Sequence, residues 1–314
     1  MPGIVNDFRI VRKISGGAFE PNNGEANKTA ITGVQLPDTI DFIGNFAFGR
    51  CENLESINLP EGLTEIGTRA FEWCKKLNGI VFPSTLKKIG SETFTYCESL
   101  TGITLPKTLE SIGTGLFSRC QSLSSVTIEK GGLASLPKEC FKGCTALKKI
   151  SIPGSVKEIG DEAFSRCSAL SSVTLAKGVT KLGVRVFNEC PIKKITIPKS
   201  VTEIGDHAVG FDYNSQFFQY TKHEDLVIRG YMGSAAEKYA ELHGFAFEPV
   251  DPYELGDVNK DRSVNMKDVA MFQRGINGWT DIVLDPKVCD MNGSGSVNMK
   301  DLTSLQRKVN GWKS

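Results

Sequence analysis

The chain has almost no net charge: 37 Lys and Arg stand against 36 Asp and Glu, leaving +1. That balance removes the electrostatic case for nucleic acid or an anionic membrane as a partner. No apolar run approaches the roughly 18 residues that a spanning helix needs, so no membrane span is expected. Histidine is scarce, and His207, His223 and His243 have neither metal-ligand spacing nor a surrounding Cys or carboxylate constellation. The N-terminus MPGIVNDFRIVRK lacks the basic-then-apolar pattern of a signal peptide. If the protein is secreted, its leader is absent from this sequence.

The bulk composition, 40% hydrophobic and 23% charged, suits a folded, soluble protein. At 314 residues there is room for two domains or one long array. Nine cysteines would suggest disulfides, but Cys51, Cys74, Cys97, Cys120, Cys144, Cys167 and Cys190 recur at steps of 23, 23, 23, 24, 23 and 23. Such a period marks an internal repeat. On stacked coils these residues would lie about 4.8 Å apart, with parallel Cβ vectors that suit a bridge poorly. They are read as buried free thiols acting as small hydrophobes. Cys140 and Cys289 fall outside the series, and their state stays open.

Aligned on the period, LPEGLTEIGTRAFEWCKKLNGIV from residue 59 and FPSTLKKIGSETFTYCESLTGIT from 82 are copies of one unit. In each, a short strand such as Leu54–Ile57–Leu59 ends at a proline, here Pro60, which cannot donate a backbone hydrogen bond. Ile66 is a second apolar point, and Gly67 after it is read as a turn. Phe71 and Cys74 then point inward. One coil cannot bury these residues alone, whereas stacked neighbours can. The expected fold is a repeat solenoid of parallel short strands with short helical or irregular convex segments. Its core would hold a ladder of Phe48, Phe71, Phe94, Phe117, Phe141, Phe164 and Phe187.

The pattern IP..V..IG..AF..C..L..I.IP resembles the BspA-like leucine-rich repeats of bacterial and protozoal surface proteins, over about residues 31 to 210. The resemblance implies a leucine-rich-repeat solenoid over 1–250. Residues 1–30 would cap one end. About 211–250 would close the other, with a final strand and a helix over Ala235–Leu242 covering the last coil.

The outward strand residues, among them Ser56, Asn58, Gly79, Val81, Gly102 and Thr104, are small and mildly polar. They offer no carboxylate pair for glycoside hydrolysis and no aromatic platform. STLK at Ser84–Lys87 matches S-x-x-K by chance, because equivalent coils read EGLT or KTLE. No catalytic role is expected here. One insertion breaks the pattern: residues 211–225 hold Phe211, Tyr213, Phe217, Phe218 and Tyr220. It is read as a loop folded over the cap with its rings buried, the alternative being a ligand or partner patch.

Beyond residue 250 an acidic cassette occurs twice, as DVNKDRSVNMKD at 257–268 and DMNGSGSVNMKD at 290–301. Oxygen-bearing side chains stand at positions 1, 3, 5, 9 and 12. They are Asp257, Asn259, Asp261, Asn265 and Asp268, then Asp290, Asn292, Ser294, Asn298 and Asp301. Position 7, Ser263 or Ser296, would add its carbonyl. This is the spacing of an EF-hand-type loop, and hard oxygen ligands select Ca²⁺ over zinc or copper. Val264 and Val297 at position 8 are apolar, as expected where two such loops pair. No helix precedes Asp257, since PVDPYELG holds two prolines. Helices are expected after each loop, with Val269, Phe272 and Ile276 on one face and Leu302, Leu305 and Val309 at +33.

Loop, helix, linker, loop and helix over 255–312 resembles a dockerin, which implies a small all-α domain at 251–314 holding two Ca²⁺ ions. Arg262 replaces the usual Gly at position 6, and Ser294 replaces a carboxylate or amide at position 5. The resemblance implies calcium-dependent binding to a cohesin module of a scaffoldin protein. Met266, Lys267, Gln273 and Arg274 would make the contacts, or Met299, Lys300, Gln306 and Arg307. The expected whole is a secreted, extracellular, non-catalytic cellulosome component whose solenoid meets a protein or polysaccharide ligand. An enzyme or enzyme inhibitor delivered to the complex is the alternative.

Overall fold

The computed structural model describes residues 11–21, 30–214, 216–251, 253–261 and 263–311. The chain divides into two compact units, one running to Arg229 and including Ser234–Ala246, the other made of Gly230–Gly233 and the residues from Phe247 on.

The first unit is a parallel β-solenoid in which each coil supplies up to two short strands. One ladder runs from Lys13–Ile14 through Phe42–Ile43, Glu65–Ile66 and Lys88–Ile89 to Ser111–Ile112. It resumes through Ser135–Leu136, Glu158–Ile159, Lys181–Leu182 and Glu203–Ile204. The other joins Gly33–Val34 to Ser56–Ile57, Gly102–Leu105 to Ser125–Ile128, and Lys149–Ile152 through Ser172–Leu175 and Lys194–Thr196 to Val227–Tyr231. The strand expected around Gly79–Val81 does not form. A side chain at Gly79 would meet nothing within 4 Å, so no cross-strand packing supports a strand there.

The segments carrying Phe and Cys are irregular turns. Their amides bond from coil to coil: Phe48 N–H donates to Ala70 O (2.8 Å), Phe71 to Thr93 O (2.9 Å) and Phe94 to Leu116 O (2.9 Å). Non-glycine residues such as Arg69, Trp73, Glu92 and Tyr96 take positive φ there, and these bonds hold that strained backbone in place. The glycines after the second strand do something else than expected. Gly67 and Gly183 do not have positive φ. A Cβ on Gly67 would lie 2.6 Å from Asn45 N, and one on Gly183 2.6 Å from Asp161 N. They are glycine so that adjacent coils can approach, not so that the chain can turn.

The core is the expected ladder. Phe48 through Phe187 are fully buried, with rings nearly parallel at centroid spacings of 5.2, 5.3, 5.4, 5.5, 5.2 and 5.5 Å. Phe19 extends it, stacking on Phe48 at 4.9 Å. Residues 13–19 are therefore already a coil, inside the segment expected to be only a cap. Residues 1–10 and 22–29 of that segment lie outside the described residues. All nine cysteines are buried free thiols. The periodic ones also donate: Cys74 S–H to Phe48 O (3.2 Å), Cys97 to Phe71 O (3.3 Å) and Cys120 to Phe94 O (3.1 Å). Burial pushes the thiols of Cys74, Cys97, Cys120 and Cys140 up.

The closing piece holds an antiparallel hairpin, Phe211–Asn214 with Gln219–Lys222, then the strand Val227–Tyr231. Helix α1 (Ala235–His243) follows and ends at Gly244 with φ 67°. Tyr239 from α1 anchors it, its hydroxyl donating to Val209 O (2.9 Å) and accepting from Val209 N (3.1 Å).

The second unit holds α2 (Met266–Ile276), α3 (Pro286–Cys289) and α4 (Met299–Asn310). The one-turn α3 before the second loop is an addition to the expected order, and Pro286 suits its first position. Val258, Val269, Phe272, Val288, Cys289, Leu302 and Leu305 form the core, with Ile276, Val309, Val264 and Val297 packed against it.

Candidate functional site

The two acidic loops repeat one hydrogen-bond frame. Asp268 Oδ1 accepts from Asn259 N (3.0 Å) and Oδ2 from Asn265 N (2.9 Å). Asp301 does the same with Asn292 N (3.1 Å) and Asn298 N (2.9 Å). Asp257 Oδ1 accepts from Asp261 N (3.1 Å), and Asp290 Oδ1 from Ser294 N (3.0 Å). Asp257, Asp268 and Asp301 are buried. A buried carboxylate is costly unless hydrogen-bonded or paired, and backbone amides meet that need here.

Positions 9 and 12 cap the helices, a role that ligand spacing alone missed. Asn265 and Asn298 are N-caps, accepting from Lys267 N and Lys300 N at 2.9 Å each, while Asp268 and Asp301 complete capping boxes at N3. The N-x-x-D spacing is the signal that would have found it. Each loop thereby hands its backbone directly into a helix.

The donor set fits a hard cation. Each loop gathers five oxygen-bearing side chains and a serine carbonyl, with no soft ligand among them. Cys289 beside Asp290 is no exception, because burial, then the charge of Asp285, pushes its thiol up to about 11. Among the described residues no three His, Cys, Asp or Glu side chains cluster as a metal site of those types alone. The expected ligand set also includes Asn, Ser and backbone oxygens. Where Asn259 Nδ2 donates to Asp261 Oδ2 (3.0 Å), an amide occupies a carboxylate oxygen. Arg262 lies outside the described residues.

On the helices, Met266, Lys267, Gln273 and Arg274 are exposed, as are Met299, Lys300 and Arg307, with Gln306 half-buried. Met266 and Met299 are each 56% exposed, unusual for so apolar a side chain, and they hold equivalent places in the two halves. Arg274 lies over the Trp279 ring at 4.3 Å and pairs with Asp281 at 3.5 Å.

Among the described residues, the strands of the array carry no such cluster of acidic and amide side chains. Ser84 donates to Glu61 (3.2 Å) and Lys87 pairs with Glu110 (3.3 Å), so S-x-x-K forms no nucleophile–base pair. The turns do carry half-buried aromatic side chains that the strand reading missed. Trp73 and Tyr96 stack at 4.0 Å, with Lys75 over Trp73 and Arg119 over Tyr96, which uses up their faces. The insertion splits: Phe211 is buried and Tyr213 and Tyr220 half-buried, but Phe217 and Phe218 are 63% and 81% exposed. The expectation that all its rings are buried fails at Phe217 and Phe218. The histidines, unremarkable by spacing, all fall in the closing region. His207 and His243 lie 5.9 Å apart, and His223 meets Asp212 at 2.9 Å.

The family described as BspA type leucine rich repeat region matches residues 21–132 and 87–218. Dockerin type I domain matches residues 255–310. No curated protein matches the chain. Among solved structures it is similar to a leucine-rich repeat protein from Bacteroides ovatus, at 29% identity over 76% of this chain and 55% of that one, TM-score 0.59. It is also similar to a leucine rich cell surface protein from Faecalibacterium prausnitzii, at 29% identity over 62% of this chain and 61% of that one, TM-score 0.50. The chain thus spans little more than half the length of these relatives. Dockerin type I domains bind calcium and imply a cohesin partner, and both families are interaction modules rather than catalytic ones. No helix among the described residues is long and apolar enough to cross a membrane. The chain belongs to the BspA-type leucine-rich-repeat family and carries a dockerin type I domain at residues 255–310.

Proposed function

We propose that this protein is a secreted, non-catalytic component of a cellulosome-type assembly. The module at 251–314 docks onto a cohesin of a scaffoldin, and the array at 1–250 carries a surface for a protein or polysaccharide. The observation that carries the reading is the paired loop frame, the same in both halves down to the atoms that accept each amide. Asp257, Asn259, Asp261, Asn265, Asp268 and the Ser263 carbonyl would hold one Ca²⁺. Asp290, Asn292, Ser294, Asn298, Asp301 and the Ser296 carbonyl would hold the other. The bound ion would supply charge that draws loop oxygens together, rigidifying the turn that feeds each helix.

Supporting the docking part, the cohesin-facing candidates are solvent-accessible on both helices. Calorimetric titration of the full chain with Ca²⁺ tests the metal part. Two sites are expected, one lost in Asp257→Ala and the other in Asp290→Ala. Heat for no site at all, or titrations unchanged in both variants, would refute it.

A further inference from the structure

Beside the hairpin, an open crevice of about 690 Å³ is lined by Arg166, Glu189, Asp212, His223, Thr221 and Tyr213, with Ser168 and Pro191 completing it. That volume lies within the range of small-ligand sites. A smaller crevice of about 200 Å³ shares Arg166, Glu189 and Tyr213 and extends past Lys142, Glu162 and Arg185. Together they make a continuous run of lining across the last coils.

The charges along this run cancel in place. Arg166 pairs with Glu189 at 3.2 Å, and His223 meets Asp212 at 2.9 Å. Glu162 receives Lys142 at 2.6 Å and Arg185 at 3.0 Å. Burial alone would raise Glu162, but the Lys142 hydrogen bond and the two cations hold it below the usual carboxylate range. Lys142, Arg166 and Arg185 stand against Glu162, Glu189 and Asp212, so the fixed charges leave no surplus to attract an ion. An anionic ligand would have to displace a carboxylate already in contact. Apolar lining amounts to Pro191 and the Tyr213 ring, too little to bury a peptide's anchor side chains. What remains is a set of planar, fixed donors and acceptors beside the Tyr213 ring, which meets Tyr220 only at a 43° tilt, centroids 5.0 Å apart. That suits a neutral ligand with many hydroxyls and a patch of C–H surface.

We propose that this crevice binds a neutral polysaccharide segment, with Tyr213 as the stacking ring and the Arg166–Glu189 and His223–Asp212 pairs as its hydroxyl partners. The inference rests on the reading that the array, not the dockerin module, bears the ligand.

The test is affinity electrophoresis of the full chain through gels containing hydroxyethylcellulose, xyloglucan, arabinoxylan or galactomannan, with polygalacturonate as an anionic counterpart. At least one neutral polymer should retard the protein. Asp212→Asn and Tyr213→Ala should each weaken that retardation about tenfold, whereas Tyr213→Phe should keep most of it. Thermal melting checks that each variant is folded, and Asp212→Asn serves if Tyr213→Ala is not. Retardation by no neutral polymer, by polygalacturonate alone, or equally in wild type and Asp212→Asn overturns the proposal. Cohesin capture with the same preparations reads the docking role separately, so either idea can fail while the other stands.

Discussion

At the scale of the residue, the array rests on side chains that each touch the coil before and the coil after. Phe117 stacks on Phe94 and Phe141 and is fully buried. Phe117→Ala should cost about 3–5 kcal/mol, read as a lower urea midpoint for the array. A variant as stable as wild type would dissolve the ladder. The glycines give a sharper contrast. Gly183→Ala drives a Cβ into the backbone of the preceding coil, whereas Gly79→Ala meets open space. The first should lose about 1–3 kcal/mol and the second almost nothing. Repetition made the Phe and Cys ladders legible in the sequence, because a position that recurs on every coil must face the same surroundings. The glycine role was not legible, since a sequence does not distinguish a glycine needed for positive φ from one needed for close approach. Nor was the S–H donation to the preceding Phe carbonyl, which exists only once the coils are in register.

At the scale of the element, each dockerin helix begins on a residue with two duties. Asn298 caps α4 by accepting from Lys300 N and is also the proposed calcium ligand at position 9. Asn298→Ala should therefore cost about 1 kcal/mol even in excess chelator, with a further loss when calcium is present. A variant unchanged in chelator would show that the cap contributes nothing. The closing helix α1 offers a pH test. Burial, then the nearby His207, lowers the pKa of His243, while Asp206 opposes them. His243 also faces Tyr239, Phe211 and Phe245. Because the folded value lies below the ordinary one, the unfolded state takes up protons first as pH falls. Stability is full above about pH 6.5 and declines below it. The protection factors of α1 amides, with the intrinsic pH dependence of exchange divided out, should fall as pH drops through that value, and His243→Gln should flatten the trend. The helices and strands themselves were largely legible from apolar spacing. The hairpin was not, because residues 211–222 fall outside the repeat and their pairing is fixed only by the antiparallel register found in the structure.

At the scale of the whole molecule, two units with separate cores should respond separately to conditions. Only the second carries the acidic loops. Calcium at about 1,000 times its dissociation constant would add about 4 kcal/mol per site to that unit. Chelation should lower its melting transition and leave that of the array in place. The near-duplicate halves also bear on docking. NMKD and QR recur at +33 and offer a partner two like surfaces, so a cohesin should accept either one. The halves are not identical: Lys308 pairs with Glu254 at 2.6 Å, while Gly275, 33 positions earlier, packs beneath Leu284. Lys267→Glu with Arg274→Glu should leave binding nearly intact, as should the matching pair at 300 and 307, and all four changes together should abolish it. Loss with either pair alone would mean one dominant face. Fold and family were readable from motif spacing. The ligand-bearing crevice was not, because its lining comes from residues 142–223 and is assembled only when the hairpin folds beside the coils. The docking role is tested by capture of the full chain on immobilised type I cohesin modules, in calcium and then in excess EDTA. Binding to at least one cohesin in calcium, abolished by EDTA, is the expected result. Capture by none of them in calcium, or capture that EDTA leaves unchanged, would contradict it.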